Sequence, residues 1–151
     1  MKILLGSNSP RRKELLKSLG YNFETVSIQC EEVYPQNLPV ENIAAYLSEL
    51  KSNAFRELEK NEILITADTI VAIENEILGK PENKNQAKEM LQKLSGKTHQ
   101  VYTGITIKNQ KKSITITDVA KVHFDDITNS ESEFYINNFH PLDKAGSYGI
   151  Q

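Results

Sequence analysis

Two adjacent arginines near the N-terminus are the residues best suited to bind an anion. They close the segment GSNSPRR at positions 6–12, in which Ser9 is a good N-cap and Pro10 suits the first helical position. Arg11 and Arg12 then fall in the first helical turn, where cations oppose the positive end of the helix dipole. A phosphate chain there would meet backbone amides, serine hydroxyls and two guanidinium groups together. The segment therefore indicates a phosphate site, with a solvated surface pair as the alternative.

The balance of basic residues sharpens this interpretation. The chain has 15 lysines and only three arginines, and two of the three are adjacent here. Arginine differs from lysine mainly in its bidentate recognition of carboxylate and phosphate oxygens. This use of arginine favours a specific anion contact over general surface charge.

A carboxylate at Asp68 interrupts an otherwise apolar run at 63–73. An ionised group in such a segment is costly unless it is paired, hydrogen-bonded or bound to metal. Asp68 is therefore a candidate site residue, with a structural ion pair or a strand end in solvent as the alternative. Glu31 and Glu32 could lie near Asp68 if their strands are neighbours, and two carboxylates suit Mg²⁺. Alone, such an acidic pair is typical of solvated surface.

The remaining polar candidates carry weaker signals. Lys51 lies at a helix position that the apolar face does not use, and Lys80 lies in a tight loop; each alone is typical of an ordinary surface lysine. The single Cys30 excludes an intrachain disulfide and, without a cationic neighbour, is interpreted as inert. Three histidines are far apart without metal-ligand spacing and receive no role: His99, His123 and His140.

Composition limits the class of protein. The 151 residues are 38% hydrophobic and 25% charged with a net charge of −2, which predicts one folded domain that buries a core without disulfides. A broadly basic nucleic-acid binder is excluded. No apolar run approaches the roughly 18 residues of a membrane span, and nothing resembles a signal peptide. We therefore expect a soluble, cytoplasmic protein without a membrane partner.

The hydrophobic pattern predicts an α/β fold in which strands and helices alternate. The helix at 10–19 places Leu15, Leu16 and Leu19 on one face. The β-branched run at 63–73 predicts a strand buried on both faces in the middle of a sheet. Residues 109–112 read as the turn of a hairpin-like pair. Strands are predicted over 3–5, 23–28, 63–73, 101–107 and 113–124, and helices over 10–19, 42–60, 85–94 and 131–139.

Seven motifs, taken in order, resemble the Maf family of nucleoside triphosphate pyrophosphatases. The resemblance covers the whole chain and implies a Maf/inosine-triphosphatase-like fold, a bent mixed β-sheet flanked by helices with a cleft between two lobes. The motifs are LLGSNSPRRKELL at 4–16, Glu31-Glu32, Lys51, ADTIV at 67–71, GKP at 79–81, LSGKTH at 94–99 and PLDKAGSYGIQ at 141–151.

The resemblance also gives expectations about extent. Residues 1–151 would form a single Maf-like domain that lacks the family's C-terminal segment. Family members usually continue past the Gln151 position with a glycine, a further strand pair and a terminal helix. The chain is then a fragment, or its remainder lacks order, or the protein lacks an edge of the second lobe.

The activity implied by the resemblance is hydrolysis of a nucleotide to its monophosphate and pyrophosphate, commonly by a homodimer. Three positions distinguish the branches of the family, and here they hold Arg12, Thr69 and Gln151. That combination is similar to the branch acting on dTTP and UTP, rather than to the 7-methyl-GTP branch. The rival interpretations are a non-catalytic nucleotide-binding regulator of septum formation and cell division, and another phosphate enzyme such as a monophosphatase.

Residue roles follow from the same resemblance. Asp68 would be the catalytic residue, as base, metal ligand or both, and would hold Mg²⁺ or Mn²⁺ together with Glu32. Thr69 and Gln151 would face the nucleobase. The substrate phosphates would be bound by Ser7, Ser9, Arg11, Arg12, Lys51 and Lys80.

Overall fold

The computed structural model describes residues 1–149, which form a mixed α/β fold. The strands are β1 (Lys2–Leu5), β2 (Glu24–Thr25), β3 (Glu62–Ile73), β4 (Glu76–Leu78), β5 (Thr98–Lys108) and β6 (Ser113–His123). The α-helices are α1 (Pro10–Ser18), α2 (Val40–Ala54), α3 (Lys84–Leu94) and α4 (Asn129–Phe139), and two short 3₁₀ turns follow at Pro141–Asp143 and Ala145–Ser147.

The strands of the described chain form one mixed sheet in the order β2-β1-β3-β5-β6, with β4 paired to β3. β1 runs parallel to both β2 and β3, and Leu4 lies opposite Leu64, whereas β4 is antiparallel to β3. The prediction of a central strand at 63–73 is confirmed, because β3 is the middle strand of that order and every one of its residues is buried or half-buried. The predicted α/β fold class is confirmed as well.

The chain divides into two compact units. The first comprises Met1–Asp68 with Thr103–Asp118, and the second comprises Thr69–Tyr102 with the chain from Val119 onward. In the first unit, the buried side chains of Leu4, Leu58 and Leu64 pack with Val26, Ile28 and Phe55. In the second unit, two apolar clusters form, one around Val71, Ile73, Leu78 and Leu94 and one around Ala87, Leu91 and Ile136.

A glycine allows α2 to lie directly on the sheet of the first unit. A Cβ at Gly104 in β5 would collide with the backbone carbonyl of Ala44 and the amide of Ala45. These atoms are backbone, so the collision could not be relieved by rotating a side chain. The close approach fixes how deeply the helix packs.

The predicted end of α2 is wrong. The apolar periodicity indicated a helix to residue 60, but α2 ends at Ala54 because Phe55 is extended, with φ −77° and ψ 154°. Leu58 is nevertheless buried, in the loop between α2 and β3. Arg56 closes that loop through two guanidinium hydrogen bonds of 2.8 and 2.9 Å to the Glu62 carboxylate. The amide of Glu59 donates a third at 3.0 Å.

Other predictions differ from the structure in extent. The strand predicted at 23–28 is reduced to Glu24–Thr25, and β4 was not anticipated. The apolar face predicted for α1 contributes no fully buried residue, since Leu15 and Leu19 are exposed. The predicted turn at 109–112 is confirmed by a hydrogen bond of 2.9 Å from the Asn109 amide to the Lys112 carbonyl.

Within residues 1–149, no helix combines the length and the apolar character that crossing a bilayer requires.

Candidate active site

The start of α1 is built as the sequence predicts. Ser9 is the N-cap, in extended backbone conformation, and Pro10 occupies the first helical turn. The Ser9 side chain makes no capping hydrogen bond; instead its amide donates to the hydroxyl oxygen of Ser7 at 3.2 Å. Because Ser9 does not satisfy the first-turn amides, this helix end keeps the donor capacity that favours an anion.

The two adjacent arginines have different surroundings. Arg11 is exposed, whereas Arg12 is half-buried and its Nη1 donates to the Ala67 carbonyl at 2.7 Å. Burial lowers the pKa of the Arg12 guanidinium, while the charges of Asp68 and Glu32 act to raise it. Arg12 is therefore tied to the residue that precedes Asp68, and Arg11 is accessible from solvent.

Lys51 joins the two predicted acidic residues. Its Nζ lies 2.9 Å from Glu32 Oε1 and 2.9 Å from Asp68 Oδ2. The Lys51 and Asp68 side chains are only 16% and 11% exposed, whereas Glu32 is 54% exposed. Burial lowers the pKa of the Lys51 ammonium, but hydrogen bonds and charge attraction from Asp68 and Glu32 outweigh burial, so the net pKa is raised.

This arrangement corrects two interpretations of the sequence. β2 and β3 are not neighbouring strands, because β1 lies between them; Glu32 reaches the surroundings of Asp68 through a shared lysine. Lys51 is also not an ordinary surface lysine, since its ammonium group holds both carboxylates. Glu31 is exposed, as expected for a solvated loop residue.

Hydroxyl groups that the sequence analysis overlooked place Lys51 opposite Asp68. Thr66 Oγ1 donates to the Ser48 carbonyl at 2.7 Å, and Ser48 Oγ shares a hydrogen bond of 2.8 Å with Thr106. Thr66 and Asp68 are two residues apart on one face of β3, and Ser48 precedes Lys51 by three residues on α2. The signal in the sequence was a small hydroxyl residue at a position that the apolar pattern predicts to be buried, Ser48 in α2 and Thr66 in β3.

The other predicted residues are distributed as follows. Thr69 follows Asp68 on β3 and is half-buried, and Lys80 is exposed just after β4; both belong to the second unit. Gln151 lies outside the described residues. Cys30 is half-buried, near the start of the loop that carries Glu32. The first unit therefore brings together Arg12, Glu32, Lys51 and Asp68.

A divalent metal fits the acidic pair. Two carboxylate oxygens from separate segments converge on one point that a cationic ammonium already occupies. Mg²⁺ and Mn²⁺ take oxygen ligands, and Mg²⁺ usually combines one or two carboxylates with waters and substrate phosphates. Among residues 1–149, no cluster of three or more His, Cys, Asp or Glu side chains forms a metal cage. The donor set suits a metal shared with a phosphate ligand.

A large apolar cavity in the second unit does not coincide with this chemistry. Its volume is about 840 Å³, and Phe124, Phe134 and Tyr148 are among its lining residues. Among residues 1–149, none of those predicted for the site lines it. The candidate site is therefore assigned from the charged cluster around Asp68.

Comparison with known proteins identifies the family. The family model described as Maf-like protein matches residues 2–151. The chain belongs to the Maf family.

Relatives agree with this assignment. A dTTP/UTP pyrophosphatase of Flavobacterium psychrophilum is 44% identical over 151 residues, covering 99% of this chain and 77% of that protein. A dTTP/UTP pyrophosphatase of Bacillus cereus is 47% identical over 150 residues, covering 99% of this chain and 78% of the relative.

Solved structures share the fold at low sequence identity. The Ham1 protein of Staphylococcus aureus matches with a TM-score of 0.54 and 14% identity, over 85% of this chain and 73% of that one. A HAM1 protein of Coxiella burnetii matches with a TM-score of 0.51 and 11% identity, over 82% and 72% respectively. The predicted fold type is confirmed by these matches.

Proposed function

We propose that this protein hydrolyses nucleoside triphosphates, with dTTP and UTP as substrates, to the monophosphate and pyrophosphate. The observation that carries the proposal is the cluster in which Lys51 bridges Glu32 and Asp68 while Arg12 holds the carbonyl of Ala67. Relatives named dTTP/UTP pyrophosphatase at 44 and 47% identity support the same activity.

Phosphate binding is the task of the basic residues and of the α1 N-terminus. Arg11 is exposed at that terminus, where its guanidinium and the first-turn amides can contact the same phosphate chain. The hydroxyls of Ser7 and Ser9 lie in the same loop. We assign Lys51 and Lys80 to the remaining phosphate oxygens.

The reaction is attack of water on the α-phosphorus. A new P–O bond forms, the bond between the α-phosphorus and the α–β bridging oxygen breaks, and pyrophosphate leaves with the bonding electrons. Asp68 accepts a proton from the attacking water, and arginine and lysine side chains neutralise the charge that develops on the phosphate oxygens. Such a transfer depends mainly on positioning and charge neutralisation, which is what this cluster supplies.

Glu32 and Asp68 would hold Mg²⁺ or Mn²⁺. When bound, this ion would polarise the substrate phosphates and acidify the attacking water. The two carboxylates come from separate segments of the chain and meet at one point, where both could bind the same ion.

Base selection is assigned to Arg12, Thr69 and Gln151. Hydroxyl and amide groups at positions 69 and 151 can pair with the polar edge of a pyrimidine. A base that leaves these groups unpaired in a buried site would cost on the order of 1 to 3 kcal/mol per group.

We also propose a cytoplasmic homodimer that binds neither nucleic acid nor membrane. The net charge of −2 supports the part of this proposal that concerns nucleic acid, because such a chain has no broadly basic composition.

A turnover screen tests the function directly. Purified protein is incubated with dTTP, UTP, CTP, GTP or 7-methyl-GTP and either Mg²⁺ or Mn²⁺, and pyrophosphate and orthophosphate are measured separately. We expect pyrophosphate release, fastest with dTTP and UTP, and release at least about 10²-fold slower from Asp68→Asn protein prepared in parallel. Orthophosphate as the product would indicate the monophosphatase instead. Nucleotide binding without any turnover would favour the non-catalytic regulator.

A further inference from the structure

The gap between Glu32 and Asp68 already contains a cation. Lys51 Nζ lies 2.9 Å from an oxygen of each carboxylate, and its side chain is mostly buried. An ammonium group has three N–H donors, and these two contacts engage two of them. Lys51 therefore offsets one of the two negative charges of the acidic pair before any ligand binds.

The position of Lys51 in this structure conflicts with the proposed function, which assigns a metal to the same two carboxylates and Lys51 to the substrate phosphates. A divalent ion held by both carboxylates would occupy the space of the ammonium. Two cations at such a short distance repel each other strongly in a poorly solvated site. The triphosphate, in contrast, offers a new set of anionic oxygens. The lysine side chain has four methylene carbons joined by rotatable bonds, so its ammonium group can move between neighbouring anions without movement of α2.

We propose that Lys51 and the divalent ion exclude each other at the Glu32–Asp68 pair, and that the nucleotide resolves the competition by drawing the Lys51 ammonium to its phosphates. This inference rests on the proposed function, because it requires a triphosphate ligand. Metal and nucleotide then bind synergistically: each raises the affinity for the other by the same factor. Bound substrate therefore makes the carboxylates more available to metal, and without it the metal must displace the Lys51 ammonium.

Metal titration without nucleotide tests the exclusion. Mn²⁺ binding is measured by calorimetry for the wild type, for Lys51→Met and for the control Lys108→Met. The control removes a lysine of the same unit whose ammonium donates a hydrogen bond to the neutral side chain of Asn53. We expect Lys51→Met to bind Mn²⁺ at least about fivefold more tightly than the wild type, the lower end of common coupling factors. Lys108→Met should match the wild type. Equal or weaker binding by Lys51→Met would overturn the proposal.

The same titration with a non-hydrolysable α,β-imido analogue of dTTP tests the role of the nucleotide. The metal itself binds phosphate, so some synergy is expected in every variant. The gain in Mn²⁺ affinity on adding the analogue should be larger in the wild type than in Lys51→Met. An equal gain in both proteins would contradict the exchange.

Two further measurements avoid dependence on one variant. Lys51→Arg keeps the charge and can hold both carboxylates through its planar fork, so its Mn²⁺ affinity should not exceed that of the wild type; tightening as large as in Lys51→Met would contradict the proposal. In the wild type, Mn²⁺ alone at saturating concentration should speed the acetylation of Lys51 by acetic anhydride, read by mass spectrometry, with Lys108 as the reference. An unchanged rate at saturation would overturn the exchange.

Pyrophosphate release by the wild type separates the two claims. If the wild type releases pyrophosphate but Lys51→Met gains no Mn²⁺ affinity, the exchange is wrong and the proposed function stands. If the wild type hydrolyses no triphosphate while Lys51→Met gains affinity, the function fails and the metal competition at the acidic pair is retained.

Discussion

Thr66 Oγ1 donates a hydrogen bond of 2.7 Å to the carbonyl oxygen of Ser48, and this contact sets the register between α2 and β3. Both residues are fully buried. Two positions further along β3 is Asp68, and three positions further along α2 is Lys51. The hydrogen bond therefore joins the two segments that carry the ammonium of Lys51 and the carboxylate of Asp68.

Removing the Thr66 hydroxyl tests this relationship. Thr66→Val keeps the shape of the side chain but leaves a buried polar network incomplete, which should lower the free energy of unfolding by about 1 to 3 kcal/mol. Turnover should fall as well, because the register that brings Lys51 to Asp68 is loosened. Urea unfolding and pyrophosphate release measure the two effects. Ser18→Ala, which removes an exposed hydroxyl bonded to Leu15, is the control and should change neither.

Asp68→Asn should fold normally yet lose at least about 10²-fold in turnover. The amide is nearly isosteric but accepts no proton, and a positioned acid or base commonly contributes a factor of that size. Steady-state kinetics and a thermal melt of the same preparation separate chemistry from folding. Glu24→Gln, which removes an exposed partner of Lys2, should retain full turnover. Wild-type turnover in a folded Asp68→Asn protein would exclude the catalytic assignment.

The two adjacent arginines should respond differently to truncation. Arg11→Ala should leave the free energy of unfolding unchanged, because Arg11 is exposed and lies at the unfavourable end of the helix dipole. Arg12→Ala should lower it by about 1 to 2 kcal/mol, because the bond to the Ala67 carbonyl is lost. Both should raise KM for the triphosphate. Equal stability losses in the two variants would show that their different surroundings have no energetic consequence.

The turn after α2 should make stability depend on acid pH. Hydrogen bonds from Arg56 and from the Glu59 amide lower the pKa of Glu62 from 4.5 to about 2. The unfolded chain therefore takes up this proton at a higher pH than the folded chain does. The stabilisation is complete above the ordinary pKa and is lost as the pH falls through the folded value.

Unfolding experiments between about pH 2.5 and pH 7 measure this dependence. Glu62→Gln should be less stable than the wild type near neutral pH, and the difference should shrink as the solution is acidified. Glu57→Gln, an exposed change in the same turn, should follow the wild-type curve. Parallel curves for the wild type and Glu62→Gln would mean that this carboxylate is not the source of the acid sensitivity.

Local chemistry explains what the sequence alone determined. The start of α1 was predictable because Ser9 and Pro10 act within one helical turn. The central position of β3 was predictable because a continuous β-branched run requires burial on both faces. Asp68 stood out as a candidate because a charge in such a run needs compensation.

Contacts between distant segments decided the rest. The end of α2 at Ala54 depends on the pairing of Arg56 with Glu62 and on the burial of Leu58 in the following loop. Helical periodicity does not distinguish this arrangement from a longer helix. The partner of Asp68 could not be predicted either, since Lys51 lies 17 residues away and looks like a surface lysine by pattern. Only packing of α2 on β3 and β5 makes that lysine a buried bridge, because the free energy of an ion pair depends on the three-dimensional arrangement of its charges and on their burial.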